Sequence, residues 1–186
     1  MANTLSNMLP LETKAPPFEL LDTVSNKTVS LDSLKGKMGT VIMFICNHCP
    51  FVIHVNPEIA KMAKEYQKKG ILFIAISSND IVNYPQDAPN LMKKKAQEAD
   101  YTFPYLYDET QEIAKAYDAA CTPDFYLINK NLGLVYRGQL DDSRPGNGIQ
   151  VSGIDLRNAI EALLNGKEIN PIQKPSIGCN IKWVTP

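Results

Sequence analysis

A strand–helix–strand pattern between residues 40 and 77 constrains the fold of this chain more than any other feature. Residues 40–45 (TVIMFI) and 70–77 (GILFIAIS) are apolar runs rich in β-branched side chains, which is typical of strands buried on both faces. Between them apolar side chains recur at helical spacing until Gly70 ends the helix: Val52, Val55, Ile59, Met62, Ala63 and Tyr66. Because such crossovers are right-handed and join parallel strands, the pattern predicts an α/β fold around a parallel pair.

Shorter elements are predicted around this unit. Residues 18–21 with 28–31, and residues 124–129 with 134–137, form two predicted hairpins. Helices are predicted at residues 90–99, at 109–117 with Asp108 as N-cap and Gln111 completing a capping box, and at 155–164 with Ile160, Leu163 and Leu164 inward. Residues 167–186 are predicted to wrap the domain as a non-helical tail. The sum is one domain, residues 1–186, with a mixed central sheet, helices on both faces, an N-terminal hairpin and a C-terminal tail.

The composition excludes several classes of function. The 186 residues carry 19 basic and 20 acidic side chains, and this balance lacks the basic excess that nucleic-acid binding needs. No apolar run approaches the roughly 20 residues that span a bilayer, and the first residues, MANTLSNMLPLETK, lack the regions of a secretory signal. We therefore expect no nucleic-acid partner, no membrane partner and a cytoplasmic location, in which the four cysteines stay reduced.

The segment Cys46-Asn47-His48-Cys49-Pro50 joins the first strand of the unit to its helix. At such a junction backbone N–H groups and the helix dipole face an incoming group. A thiol in the first helical turn has a lowered pKa because its thiolate is favoured there, and Pro50 suits a position that needs no N–H donor. Cys49 is therefore predicted to be a nucleophile, whereas Cys46 at the strand end gains less from the dipole.

Two other interpretations of this segment stay open at this stage. The cysteines are small buried hydrophobes in the first. In the second, Cys46, His48 and Cys49 bind a metal ion, although the sequence shows no second pair of ligands. Two cysteines at a strand-to-helix junction, followed by proline, favour redox chemistry over both, and we expect no bound metal and no cofactor. His48 and His54 have no spacing that requires a role, and we expect them at the surface or in support of the site.

A second informative segment, Cys121-Thr122-Pro123, directly precedes the predicted strand at residues 124–129. Proline is unusual at the start of a buried strand because the strand loses a donor there. A cis Thr122–Pro123 bond would explain it and would turn the Thr122 backbone toward the reactive thiol, whereas the sequence leaves a trans bond equally open. With Pro123 facing the site, Cys121 would lie close to it.

On these residues the chain resembles the thioredoxin-like superfamily, and within it the peroxiredoxin-like proteins (alkyl hydroperoxide reductase/thiol-specific antioxidant, or redoxin). The resemblance covers almost the whole chain and is carried by APPFEL at residues 15–20, FPYLYD at 103–108, TPDFYLI at 122–128 and VYRG at 135–138. It implies a thioredoxin-like fold, redox chemistry at a cysteine and a cis-proline loop. Many peroxiredoxin-like proteins form dimers, so a homodimer is a further expectation.

The resemblance places Cys49 at the nucleophilic cysteine, but the usual partners of that cysteine are replaced. Val52 stands where a redoxin has its second cysteine. Against a peroxiredoxin, Cys46 replaces the supporting threonine, and Asp124 stands where the supporting arginine is expected. The standard mechanism of either group is therefore incomplete in this chain.

The tail segment GCNIKW at residues 178–183 is similar to that of a less characterised peroxiredoxin-like subgroup. Its structural interpretation is an anchored tail in which Ile181 and Trp183 pack on the domain. Its functional interpretation is a resolving thiol supplied by Cys179. The structural interpretation is favoured.

Together these features predict a thiol-based oxidoreductase with antioxidant-type activity. The Cys49 thiolate attacks a disulfide or a peroxide, and the product is resolved by Cys46, Cys121, Cys179 or an external thiol. The predicted site residues are Cys49, Cys46, Cys121, Thr122 and Pro123. The expected partners are a peroxide or disulfide substrate and a thiol reductant, either a thioredoxin-like protein or a small thiol. The alternative is a non-catalytic redox sensor or a soft-metal-binding module that uses Cys46 and Cys49.

Overall fold

Ten strands and five helices lie within residues 3–184, the part of the chain that the structure, a computed structural model, describes. The strands are β1 (Asn3–Leu5), β2 (Glu19–Asp22), β3 (Lys27–Ser30), β4 (Gly39–Phe44), β5 (Ile71–Ser77), β6 (Tyr105–Tyr107), β7 (Cys121–Thr122), β8 (Asp124–Asn129), β9 (Leu134–Gly138) and β10 (Ile177–Asn180). The helices are α1 (Leu31–Leu34), α2 (Pro50–Gln67), α3 (Pro89–Glu98), α4 (Glu112–Ala116) and α5 (Ile154–Leu164), with one 3-10 turn at Pro85–Asp87.

Seven strands form a mixed central sheet in the order β3-β2-β6-β5-β4-β8-β9. The predicted β–α–β unit is confirmed at its centre, because β4 and β5 pair in parallel and every residue of β4 is buried. Both predicted hairpins are also confirmed as antiparallel pairs, β2 with β3 and β8 with β9. The end of β4 and the start of α2 therefore meet in the middle of the sheet, between β5 and β8.

Helices cover both faces of this sheet, as predicted. On one face α2 packs on β5, α3 on β6 and α5 on β8 and β9, and they share one core through side chains such as Ile59, Met92 and Leu156. On the other face α1 and α4 contribute Leu31 and Ala114 to a second core. Burial of these apolar side chains, at roughly 25 cal/mol per Å² removed from water, holds the sheet and the start of α2 in one fixed relation.

The C-terminal tail crosses the domain as predicted, but it also contains a strand that the sequence pattern does not show. This strand, β10, lies between β1 and β7 in a three-stranded antiparallel sheet, with Cys179 opposite Thr122. At Gly178 the tail passes so close to β7 that a Cβ atom would lie 2.0 Å from the Thr122 carbonyl oxygen. Only glycine allows that approach.

The helix near residue 112 differs from its prediction. Instead of residues 109–117, α4 spans Glu112–Ala116, and the predicted capping box is wrong. Asp108 instead accepts a hydrogen bond from the Ala114 backbone N–H at 2.9 Å. Gln111 has a left-handed backbone conformation with φ of 62°, and its side-chain amide donates to the carbonyl oxygens of Ser78 and Lys182 at 2.6 and 2.8 Å. Asp108 thus still accepts N–H groups of the first turn of α4, whereas tertiary contacts recruit Gln111.

Two smaller points concern the remaining helices. In α5 Ile160 is buried, as predicted, and Leu163 and Leu164, which are half-buried, also pack against the core. Among the residues described, no helix is long and apolar enough to cross a membrane.

Candidate active site

Cys49 lies at the N-terminus of α2, in the middle of the central sheet. It is the N-cap residue, Pro50 is the first helical residue, and the Cys49 carbonyl oxygen accepts the Ile53 N–H at 2.9 Å. Cys46 lies in the loop that follows β4, and Val52, where a redoxin has its second cysteine, is buried inside the helix. The two cysteines thus occupy the strand-to-helix junction that the sequence predicted.

The proline loop lies directly against this junction. The Thr122–Pro123 peptide bond is cis. The Cys49 sulfur lies 3.1 Å from the Thr122 carbonyl oxygen, to which the protonated thiol donates, and the Cys46 sulfur lies 3.5 Å from the Thr122 hydroxyl oxygen. Thr122 therefore contacts both cysteines, and the structure brings the predicted site residues Cys46, Cys49, Thr122 and Pro123 together.

The surroundings of the Cys49 sulfur favour its ionised form. A hydrogen bond from the Cys46 thiol is the largest cause that lowers the pKa of Cys49 to about 5, and burial opposes it. Weaker stabilisation comes from the thiol of Cys179 and from the backbone N–H of Val52 in the first turn of α2. The N-terminus of α2 therefore lowers the pKa of Cys49, as expected, but the Cys46 thiol lowers it more.

Cys46 is the complementary partner in this pair. Its pKa is raised well above the usual value, first because its thiol donates to Cys49, then because of burial and because of the negative charge of Asp87. Of the two thiols, Cys46 is therefore the one that keeps its proton to higher pH. A thiol next to a thiolate is the reduced form of a dithiol–disulfide couple.

The other two cysteines lie near the pair in different ways. Cys179 on β10 approaches the Cys49 sulfur, and burial raises its pKa to about 12. Cys121 on β7 directs its thiol to the Pro123 carbonyl oxygen at 3.7 Å, and burial raises its pKa. All four cysteines are free and buried. At neutral pH Cys49 is therefore the ionised one.

A buried carboxylate beside the pair was missed by the sequence analysis. Asp87, in the 3-10 turn Pro85–Asp87, is 0 % exposed. It accepts the backbone N–H of Asn47 at 2.8 Å, the side-chain amide of Asn79 at 2.8 Å and Nδ1 of His48 at 2.7 Å. The His48 ring also stacks on Tyr84, with ring centres 5.6 Å apart. His48 therefore supports the site, whereas His54 bonds Ser143 Oγ at 2.7 Å.

One group of side chains at the site has the composition of a metal site. The ligand atoms of Cys46, His48 and Asp87 lie within 4.8 Å of one another. Both carboxylate oxygens of Asp87 already accept hydrogen bonds, from Asn47 and from Asn79 and His48. Cys49, which the metal hypothesis included, contacts Thr122 and Cys46 instead. The donor set therefore fits a hydrogen-bond network better than a tetrahedral ion.

Two further features bear on access and charge. Cys49 is 0 % exposed, so a substrate larger than a few atoms requires a local movement.

Asp124, at the position where the resemblance expects an arginine, is also 0 % exposed. Burial raises its pKa to about 7. It accepts the Tyr126 hydroxyl at 3.0 Å through Oδ2, while Oδ1 has no hydrogen-bond partner among the residues described.

A mixed sheet with a thiolate at the start of its central helix, facing a proline loop, defines a class: thioredoxin-fold proteins of the thiol–disulfide oxidoreductase and peroxiredoxin-like type, which are enzymes. The sequence match is more specific. The chain belongs to the AhpC/TSA family, which it matches over residues 11–137.

Several known proteins are similar to this chain. A solved structure of an uncharacterized conserved protein from Geobacillus kaustophilus is 57 % identical, with a TM-score of 0.98, over 100 % of this chain and 98 % of that one. A hypothetical protein from Sinorhizobium meliloti 1021 is 44 % identical, with a TM-score of 0.96, over 98 % and 100 %. The thiol-disulfide oxidoreductase ResA of Bacillus thuringiensis subsp. konkukian is 25 % identical over 69 % of each chain.

At lower identity the fold alone is shared. The peroxidoxin BcpB of Mycobacterium tuberculosis is 15 % identical, with a TM-score of 0.62, over 84 % of this chain and 96 % of that one. The predicted thioredoxin-like fold and the predicted family are thus confirmed.

Proposed function

We propose that this protein is a thiol–disulfide oxidoreductase in which Cys49 attacks a disulfide and Cys46 resolves the product. The observation that carries the proposal is that Thr122 contacts both sulfurs at the start of α2, the Cys49 sulfur at 3.1 Å and the Cys46 sulfur at 3.5 Å. The neighbouring Cys46 thiol also lowers the pKa of Cys49 to about 5. At neutral pH this leaves one nucleophilic thiolate with a second thiol in contact. The order of the motif is reversed relative to a redoxin, because the resolving thiol precedes the nucleophile in the chain.

The reaction has two steps that balance. In the first, Cys49 S⁻ attacks one sulfur of a substrate R–S–S–R′, forming Cys49–S–S–R and releasing R′–S⁻, which takes a proton from solvent. In the second, Cys46 loses its proton and attacks the Cys49 sulfur, forming the Cys46–Cys49 disulfide and releasing R–S⁻. The substrate disulfide is reduced to two thiols. An external thiol reductant then returns the enzyme to the dithiol.

Contacts favour Cys46 as the resolving thiol. The thiols of Cys46 and Cys179 both lower the pKa of Cys49, and that of Cys46 lowers it more, whereas the thiol of Cys121 is directed to Pro123. Cys179 belongs to β10, which is paired with β7 and held by the close passage of Gly178. Its strand pairing must distort when its sulfur moves toward Cys49. Cys46 lies in a loop without such a ladder, so it closes a bond with less rearrangement.

A peroxide is the second candidate substrate, because the complete burial of Cys49 admits a small oxidant more readily than a protein disulfide. The charges argue the other way. The chain has three arginines, and each guanidinium is bound to other groups. That of Arg137 donates to Leu9 O and Gln173, and that of Arg144 donates to Gln139 and to backbone carbonyls. The guanidinium of Arg157 donates to Glu58 and Glu65. Arg144 does line the cavity beside Pro123, but its guanidinium is held by Gln139 and by two backbone carbonyls.

Intact-mass measurements on cysteine variants test the proposal. After one equivalent of a small disulfide, the wild type should lose two hydrogens and retain no adduct. Cys46→Ser should stall as the mixed disulfide, Cys49→Ser should not react, and Cys121→Ser, the matched control of a buried thiol outside the pair, should behave as the wild type. A mixed disulfide that resolves in Cys46→Ser but persists in Cys179→Ser would assign resolution to the tail.

Turnover separates an enzyme with this chemistry from a single-use redox switch. With excess dithiothreitol, the wild type should reduce many equivalents of disulfide, and the same protein with hydrogen peroxide should turn over more slowly. Faster turnover of peroxide than of disulfide would replace the first candidate by the second. As a partner we propose a thiol reductant, either a small thiol or a thioredoxin-like protein, in a cytoplasmic setting.

A further inference from the structure

The second step of the proposed reaction requires a proton acceptor. Cys46 enters that step as a thiol, because its pKa is raised well above the usual value, and it is only 2 % exposed. In the reduced enzyme the Cys46 thiol has the negatively charged Cys49 sulfur beside it. In the mixed disulfide the Cys49 sulfur is uncharged and cannot accept the proton of Cys46. The hydroxyl of Thr122, which also contacts Cys46, is not a base. The proton must therefore go to another group near Cys46.

The cluster of Cys46, His48 and Asp87 supplies this group. The Cys46 sulfur, a ring nitrogen of His48 and a carboxylate oxygen of Asp87 lie within 4.8 Å of one another. Nδ1 of His48 donates to the Asp87 carboxylate, so a neutral His48 accepts a proton at Nε2 and becomes a cation, which that carboxylate stabilises. The His48 side chain is 24 % exposed while that of Asp87 is fully buried, so a proton on the ring also has a route to solvent.

We propose that His48 accepts the proton of Cys46 during resolution and that Asp87 positions His48 for this task. The step reads Cys46–SH + Cys49–S–S–R + His48 → Cys46–S–S–Cys49 + R–S⁻ + His48–H⁺, so charge and atoms balance. The leaving thiolate or solvent then takes the proton from the imidazolium. This role rests on the proposed function and adds to it the group that makes the second thiol reactive.

The surroundings of Asp87 fix the imidazole in place. Asn47 and Asn79 hold the carboxylate by hydrogen bonds of 2.8 Å each, and the His48 ring is fixed by its 2.7 Å bond to Asp87. Tyr84 covers one face of the ring in a stack tilted by only 9°. A ring held at its edge and on its face keeps one orientation, which is the condition for efficient proton transfer.

Other titratable groups face the cluster and bear on its pH dependence. Cys49 is uncharged while it forms the mixed disulfide. Tyr105 on β6 donates to the Asn47 side chain at 3.2 Å, and burial keeps its pKa well above its usual value. Lys182 of the tail lies over the Tyr84 ring, 5.5 Å from its centre. These neighbours stay the same when His48 is replaced, so a change in the pH dependence of resolution reports on His48.

A two-phase thiol reaction tests the role of His48. Methyl methanethiosulfonate is small enough for a buried thiol and converts Cys49 to a methylthio mixed disulfide, and closure by Cys46 then expels methanethiolate. Acid quenching and intact mass follow both phases in a Cys121→Ala, Cys179→Ala background. Peptide mapping of the wild type confirms the pair that forms. His48→Asn should slow the second phase on the order of 100-fold at neutral pH and leave the first within twofold.

The pH profile provides the readout that a purely structural role would not change. In the parent the closure rate should rise with pH and level off, whereas in His48→Asn it should keep rising, because Cys46 must then ionise by itself. His54→Asn, the matched control, should leave both phases unchanged. Asp87→Asn should slow closure less than His48→Asn does.

Three outcomes separate the possible failures. An unchanged second phase in His48→Asn, or an equal loss in both phases, would overturn the proton-transfer role. The absence of any first phase at Cys49 in the parent would instead overturn the proposed function itself. If Asp87→Asn loses its circular-dichroism spectrum, His48→Asn and its pH profile decide the question alone.

Discussion

Removal of the Cys46 thiol should raise the pKa of Cys49. A free cysteine has a pKa of about 8.5, and that of Cys49 is lowered to about 5, with the Cys46 hydrogen bond as the largest cause. A hydrogen bond to a charged group contributes about 1.5–3 kcal/mol, which is about 1–2 pKa units. In Cys46→Ala the pKa should therefore be about 6–7. The thiolate fraction at pH 6 then falls from about 90 % to between about 10 and 50 %.

Ultraviolet absorbance of the thiolate measures this pKa in the protein as it exists. The pKa values of Cys46, Cys121 and Cys179 are all raised, so absorbance that appears between about pH 3 and 8 reports on Cys49 alone. Cys121→Ala is the control, because Cys121 is buried and its thiol is directed to Pro123. A Cys49 pKa that stays at about 5 in Cys46→Ala would refute the reasoning, since the helix terminus would then suffice.

Three further predictions concern stability and the tail. The pKa of Cys49 is depressed in the folded state. Its ionisation therefore stabilises the fold fully above the pKa that Cys49 has in the unfolded chain, and this stability is lost as pH falls through about 5. Urea titrations should show the corresponding fall in the free energy of unfolding in the wild type and not in Cys49→Ser. The pKa of Asp124 is raised to about 7 in the folded state, so the stability that the neutral carboxyl contributes is full below about pH 3.9 and is lost as pH rises through about 7. Asp124→Asn should therefore raise the free energy of unfolding at pH 8 by up to about 4 kcal/mol. Equal free energies of unfolding for the wild type and the variant at pH 8 would contradict this. Gly178→Ala places a Cβ 2.0 Å from the Thr122 carbonyl oxygen. It should lower the free energy of unfolding by about 1–3 kcal/mol and speed the alkylation of Cys179. In the control Gly133→Ala the new Cβ meets only the Asn129 side chain, at 3.2 Å, so both quantities should change little.

The central part of the fold could be predicted because its signals are local. The apolar runs of β4 and β5 and the helical spacing of α2 are each contained in one short segment, and the position of Cys49 at the start of α2 follows from them. The Thr122-Pro123 pair at the start of β8 had left a cis and a trans bond equally open, and the resemblance then favoured the cis-proline loop. These features do not depend on distant residues, so periodicity and the placement of Pro50 were sufficient.

The parts that were missed depend on distant contacts. The strand β10 pairs with β1 and β7, and a short segment such as IGCN shows no alternation that would predict it. Asp87 lies in a polar loop whose composition indicates only exposure, yet Asn47, His48 and Asn79 enclose it. Gln111 likewise bonds Ser78 and the tail instead of capping its own helix. Local rules fail where a side chain is used by another part of the chain.

The identity of the first cysteine to react tests the central claim most directly. Less than one equivalent of methyl methanethiosulfonate at pH 6, followed by acid quenching and peptide mapping, should place the methylthio group or its resolved disulfide on Cys49. Labelling that begins at Cys46, Cys121 or Cys179, with Cys49 left as a free thiol, would show that the sulfur at the start of α2 is not the nucleophile.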